Sequence, residues 1–202
     1  LALMMGVKHH QQFLGKLGQL KRMRTELPES ARPIVPSQWG ELNTMTIAFG
    51  HGLAVAPLQS MMAVGALVNG GRLVKPTFLY NETGEMPADA PRVLRSETSE
   101  QLRYIMRLNA EVGSARKIDV KGYFAGGKTG TANKVINGRY SQSVVFNTFT
   151  AILPSDDPKY LFLTIYDEPK GIPETHGYRT AAWNAGYVTG KIIERVSPIL
   201  GL

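Results

Sequence analysis

The chain has 202 residues, 43% hydrophobic and 19% charged, with a formal net charge of +7. This is the make-up of a globular protein with a real core, long enough for one domain or one domain plus part of another. It contains no cysteine, which excludes disulfides, zinc–thiolate sites and thiol nucleophiles; no run approaches the roughly 18 apolar residues of a membrane span, and no signal peptide is visible.

The chain begins Leu1-Ala2-Leu3-Met4-Met5. This is apolar sequence with no helix-start signal before it, so residues before Leu1 are expected to be missing. Phe13, Leu14, Leu17 and Leu20 recur at helical spacing and predict an amphipathic helix over 8–20. A loose basic cluster (Lys8, Lys16, Lys21, Arg22, Arg24) lies here. Positive charge favours anionic partners, but no nucleic-acid motif accompanies it, and no nucleic-acid partner is expected. Pro28, Pro33 and Pro36 predict an extended loop over 26–38. Pro57 opens a second helix, with Leu58, Met61, Met62, Val64, Leu67 and Val68 as its apolar run, and Asn69-Gly70-Gly71 ends it. Its methionines read as core filler. Residues 72–80 read as short strands broken by Pro76, and 81–91 as a polar loop. A third helix is expected from about Glu97 to Glu111, with Leu102, Ile105, Met106 and Asn109 on one face and Gly113 at its end.

Beyond Gly113 the pattern changes. Asn137-Gly138 is a hairpin-turn signal. Residues 144–153 and 160–167 read as strands joined by the turn Pro154-Ser155-Asp156-Asp157-Pro158, and strands so joined run antiparallel. A helix near 179–196 closes the chain. There is no internal repeat and no low-complexity tract.

The most informative stretch is Gly126-Gly127-Lys128-Thr129-Gly130-Thr131-Ala132. Glycines let a ligand approach the backbone, the lysine supplies a compact cation, and the threonine hydroxyls donate and accept hydrogen bonds. The segment suits an anion. One reading is a nucleotide-binding loop, since residues 122–129 satisfy Gly-x-x-x-x-Gly-Lys-Thr and the strand ending Asp167-Glu168 imitates a magnesium-holding acid. Such a loop needs a helix starting at its Lys-Thr; here Gly130 follows at once and a hairpin turn comes soon after. The other reading puts Lys128-Thr129-Gly130-Thr131 on a strand lining a cleft. A bland alternative makes Lys128 a surface lysine on a glycine-rich turn.

Lys-Thr-Gly is one of three motifs shared by penicillin-binding proteins and serine β-lactamases. The passage Thr46 to Gln59, with Gly50-His51-Gly52 and Pro57-Leu58-Gln59, resembles the corresponding passage of class B penicillin-binding proteins, as do Leu67-Val68-Asn69-Gly70-Gly71 and Ala125 to Ala132. The resemblance covers nearly the whole chain and is closest to septal, division-type peptidoglycan D,D-transpeptidases. The strand after the motif lacks a glycine near Phe146 to Phe149, and the Tyr178 to Trp183 passage is less typical. The resemblance implies an α+β fold of the penicillin-binding-protein and serine β-lactamase type, an antiparallel sheet covered by helices. Residues 1–202 would be the C-terminal part of a single transpeptidase domain, holding the last three strands, with the N-terminal part missing.

Acyl transfer in this family needs an activated serine. No Ser-x-Asn occurs, and the single Ser-x-x-Lys, Ser114-Ala115-Arg116-Lys117, follows a helix end and reads as a decoy. The nucleophile is therefore expected outside this chain. The resemblance implies catalytic roles for Lys128, in proton movement and carboxylate attraction, and for Thr131, whose N–H would serve the oxyanion hole. Thr129, Gly130 and Thr131 would bind substrate. It implies D-alanyl-D-alanine stem peptides and β-lactams as ligands, membrane proteins of the division machinery as partners, and a place at the periplasmic face of the inner membrane through an upstream anchor. No cofactor is called for. His9, His10, His51 and His176 lack metal-ligand spacing, Trp39 and Trp183 read as packing residues, and Asp167 and Glu168 as solvated charges. A non-catalytic β-lactam sensor or division-scaffold module of the same fold is the alternative function.

Overall fold

The computed structural model describes residues 1–202, apart from the side chain of Gln142. In chain order the elements are α1 (Ala2–Met5), α2 (Val7–Lys16), α3 (Glu41–Ala48), α4 (Pro57–Val68), α5 (Ser96–Val112), β1 (Gly126–Ile136), β2 (Arg139–Leu153), β3 (Tyr160–Asp167) and α6 (Ala185–Val196), with short 3₁₀ turns at Arg116–Ile118 and Pro173–Thr175. They form an α+β fold in two units, Leu1–Ser99 and Glu100–Leu202.

The first unit is built on α2 and α4. Leu17, Ala63 and Ala66 form its buried centre, with Phe13, Leu67, Leu73 and Val93 packed against it. Helix α2 stops at Lys16, short of the expected 20, because Gly18 turns the backbone to a φ of +73°. Buried Gln59 stitches that turn to α4: its Nε2 donates to the carbonyls of Gly18 (2.5 Å) and Lys21 (2.8 Å), and Gln19 Nε2 donates to the Gln59 carbonyl at 2.9 Å. Residues 72–80 are not strands; the region holds one isolated bridge, Arg72 to Arg92. The Asn69 side chain takes both backbone groups of Arg72 (2.9 and 2.8 Å), Pro76 has no N–H, and the Glu26 carboxylate accepts from the Thr77 hydroxyl and the Phe78 N–H. Backbone groups already taken by side chains leave little for a ladder.

The second unit is a three-stranded antiparallel sheet in the order β1-β2-β3. Asn137 and Gly138 link β1 to β2 with φ of +50° and +76°, as a type I′ hairpin turn requires. On one sheet face, Phe149, Ala151 and Leu153 are fully buried among Ala110, Ala115, Ile118, Ala125, Ala185 and Ile193. The closeness of this packing shows at Gly127, where an added Cβ would lie 2.8 Å from Ile118 Cδ1 and from Phe149 Cε1. Helix α6 begins at Ala185 rather than 179, because Asn184 Oδ1 accepts from the Ala185 N–H at 2.5 Å and caps it there. On α5, Ile105 does not share the inner face with Leu102, Met106 and Asn109. It is 56% exposed, while Ala110, one turn after Met106, is buried.

Candidate functional site

Strand β1 is an edge of its sheet, paired with β2 on one side. On the other side, the carbonyls of Ala125, Gly127 and Thr129 accept from Arg107 Nη1 (2.9 Å), Asn109 Nδ2 (2.8 Å) and Lys128 Nζ (2.6 Å). Alternate residues of an antiparallel strand turn both backbone groups the same way, so the N–H and C=O of Thr131 also face the free edge. Helix α5 sets the position of this edge. Burial works against the charge of Arg107, but its hydrogen bonds to Asp119 (2.7 Å) and Glu111 (2.9 Å) outweigh that and raise its pKa.

The four expected site residues, Lys128, Thr129, Gly130 and Thr131, lie consecutively on β1, and pleating sends their side chains to alternate faces. Thr129 and Thr131 share the face of Gly127; Lys128 and Gly130 share the other. Lys128 is exposed. Thr129 Oγ1 lies 3.0 Å from Ser114 Oγ. Thr131 Oγ1 accepts from the Ala181 N–H at 3.1 Å, which leaves its own hydroxyl proton free to be donated. Gly130 stands opposite Thr148, and an added Cβ would be 2.4 Å from Thr148 Oγ1. The glycine is therefore required by its cross-strand neighbour, whatever approaches from outside.

Ser114 and Lys117 do not form a nucleophile and base. Ser114 Oγ is near Thr129 and Asn109 (3.4 Å), its N–H donates to Asn109 Oδ1 at 3.0 Å, and Lys117 Nζ sits 5.1 Å over the Trp183 ring. Ser114 nonetheless adjoins the motif, a neighbourhood that its separation in sequence concealed. Asn109 was expected only as part of a helix face, yet it joins Ser114 to the Gly127 carbonyl.

The nucleotide-loop reading fails on geometry. Lys128 and Thr129 lie inside a strand, so no helix presents its N-terminal amides there. Asp167 and Glu168 are not simply solvated charges: both hold Lys134 Nζ at 2.8 Å. Those hydrogen bonds keep the Lys134 ammonium above its usual pKa. Lys134 lies where the β1–β2 register shifts between Asn133 and Val135, and a bulge of this kind re-aims a side chain. Trp183 packs as expected, stacked on Tyr178 (5.2 Å between centroids) with His176 edge-on at 5.4 Å. Among the described residues no group of three or more His, Asp or Glu could hold a metal ion, and no helix is long and apolar enough to cross a membrane.

The family model for the penicillin binding protein transpeptidase domain matches residues 1–192. The chain is 37% identical, over 211 aligned positions and its whole length, to "Probable peptidoglycan D,D-transpeptidase FtsI" of Caulobacter vibrioides, and covers 36% of that protein. It is 34% identical to Stage V sporulation protein D of Bacillus subtilis over 81% of this chain and 26% of the relative. It thus spans about a third of the length of these curated relatives. The transpeptidase domain of Burkholderia pseudomallei penicillin-binding protein 3 matches in fold with a TM-score of 0.82 at 22% identity, covering 96% of this chain and 59% of that one. Penicillin binding protein 3 of Mycobacterium tuberculosis, complexed with ampicillin, matches with a TM-score of 0.77 at 25% identity, covering 95% and 46%.

Proposed function

We propose, from the premise that this chain belongs to the penicillin-binding protein transpeptidase domain family and to its class B, FtsI-like branch, that it forms one wall of the acyl-transfer site of a peptidoglycan D,D-transpeptidase. The observation that carries this reading is the free edge of β1, which carries in succession an exposed lysine, two threonine hydroxyls and an outward backbone N–H. In the reaction a serine from outside these residues attacks the carbonyl carbon of the penultimate D-alanine of a stem peptide. An O–C bond forms, the C–N bond to the terminal D-alanine breaks, and the leaving amine takes the serine proton. An acceptor amine then attacks the ester carbonyl carbon: an N–C bond forms, the serine O–C bond breaks, and the amine proton returns to the serine oxygen, which completes the cross-link.

Lys128 assists proton movement and attracts the terminal carboxylate. The hydroxyls of Thr129 and Thr131 donate to that carboxylate, and Gly130 permits close approach. The Thr131 N–H is one of two donors to the developing oxyanion, a contact whose loss costs about 3 kcal/mol of transition-state stabilisation. β-Lactams acylate the same serine; that the mycobacterial relative is complexed with ampicillin supports the binding of a β-lactam. The chain acts as the C-terminal part of a single transpeptidase domain in septal synthesis. It works at the periplasmic face of the inner membrane, with an anchor outside these residues and membrane proteins of division as partners. On this reading the 202 residues alone are inactive.

The test is acylation of the full-length protein by a fluorescent penicillin. Lys128→Ala should slow labelling at least 100-fold, and Ser114→Ala should leave a labelled protein. Unchanged labelling in Lys128→Ala, or a labelled peptide carrying Ser114, would overturn the proposal.

A further inference from the structure

In the row of β2 side chains facing α6, Val145, Phe149, Ala151 and Leu153 are buried and apolar, but Asn147 is not apolar and is fully buried. It is the cross-strand partner of Thr131. Its amide does not bond to Thr131. Instead its Nδ2 donates to the Arg179 carbonyl and to Asn184 Oδ1 (3.1 Å). Asn184 Nδ2 donates to the same Arg179 carbonyl at 3.0 Å, and Arg179 Nη1 donates to the Ser143 carbonyl at 2.5 Å. Residues 179–184 therefore form a strap fastened to β2 at both ends. Between the fastenings sits Ala181, fully buried, whose N–H donates to Thr131 Oγ1.

We propose that Asn147 is a positioning residue for Thr131, acting through this strap. The inference rests on the carboxylate-binding role proposed for Thr131. A threonine hydroxyl rotates to suit its partners. By occupying one lone pair from a fixed direction, the Ala181 N–H selects the rotamer and aims the remaining proton away from the strap. That direction is only as well defined as the strap itself, and Asn147 sets it from beneath. Asn147 Oδ1 is buried and has no partner. A buried unpaired carbonyl is a burden that an apolar side chain would not impose, and the two contacts of Nδ2 offset it. The same two contacts hold the donor to Thr131.

The experiment uses the full-length protein and two probes, benzylpenicillin and its methyl ester, with acylation rates followed by intact-protein mass. The probes differ in the carboxylate that Thr131 would bind, so a general loss of structure lowers both rates while mis-aiming of Thr131 lowers only the first. Asn147→Leu should reduce the acid-to-ester rate ratio at least ten-fold. Asn184→Asp, which removes a single strap bond from the exposed side, should reduce it about three-fold and stands in if Asn147→Leu does not fold. In a Thr131→Val background neither substitution should reduce the ratio further. Equal slowing of both probes, an unchanged ratio, or multiplicative effects with Thr131→Val would overturn the inference. If Thr131→Val and Lys128→Ala themselves leave benzylpenicillin acylation unchanged, the proposed function fails; if they slow it and the strap variants do not alter the ratio, only the positioning role fails.

Discussion

Lys128, Thr129 and Thr131 are near neighbours in sequence with different surroundings, because the pleat separates them and each meets a different part of the chain. The same logic makes Gly127 a packing position. Gly127→Ala should lower stability by about 1–3 kcal/mol, read from the denaturant midpoint of the full-length protein, since Ile118 and Phe149 already occupy the space of a Cβ. At the other end of the chain, His10 is buried in a T-shaped contact with Trp39, with ring centroids 5.9 Å apart. Burial pushes its pKa below the ordinary value. The unfolded chain therefore takes up the proton more readily. The stability contribution is fully present above about pH 6.5 and is lost as pH falls through the lowered folded value. Thermal midpoints of the full-length protein should drop on acidification below about pH 6.5, and less so in His10→Gln. An equal drop in both would count against this assignment.

Among the elements, the hairpin was the most legible. Asn137-Gly138 needs left-handed backbone at both positions, few residue pairs supply it, and the turn lies where that pair stands. Gly138→Val should cost about 1–2 kcal/mol by imposing a β-branched side chain on a φ of +76°; a melting curve that does not move would contradict it. Helix α4 was equally plain, since Pro57 begins it and Asn69-Gly70 closes it. Helix α3 was not foreseen: its apolar residues make no single stripe, and its start is marked only by Asn43 Oδ1 accepting from the Gly40 N–H at 2.9 Å. The false strands at 72–80 have the opposite cause. Their residues suit a strand, but Asn69 and Glu26, distant or unremarkable in a local pattern, take up their backbone groups.

For the molecule as a whole, the sheet leaves two open edges, at β1 and β3. Helix α5 also carries an exposed row of Tyr104 (67%), Ile105 (56%), Leu108 (38%) and Val112 (70%). Open edges and contiguous apolar surface recruit other chains. The 202-residue chain expressed alone should therefore elute as concentration-dependent aggregates in size-exclusion chromatography. A monomer with one cooperative thermal transition would contradict this.

Local chemistry is written in sequence, and it settled much: the class of fold, the two ends of α4, the Asn137-Gly138 turn, though β2 begins at Arg139 rather than 144, and the family whose Lys-Thr-Gly strand this chain carries. A glycine, a proline or an Asn-Gly pair restricts the backbone by itself, so its effect can be read without a partner. The tertiary structure decided everything that depends on a partner far along the chain. It put Ser114 beside Thr129, gave Lys134 to Asp167 and Glu168, and joined Asn147 to Arg179 and Asn184. A hydrogen bond acts over about 3 Å, and only folding determines which distant residues come within that range.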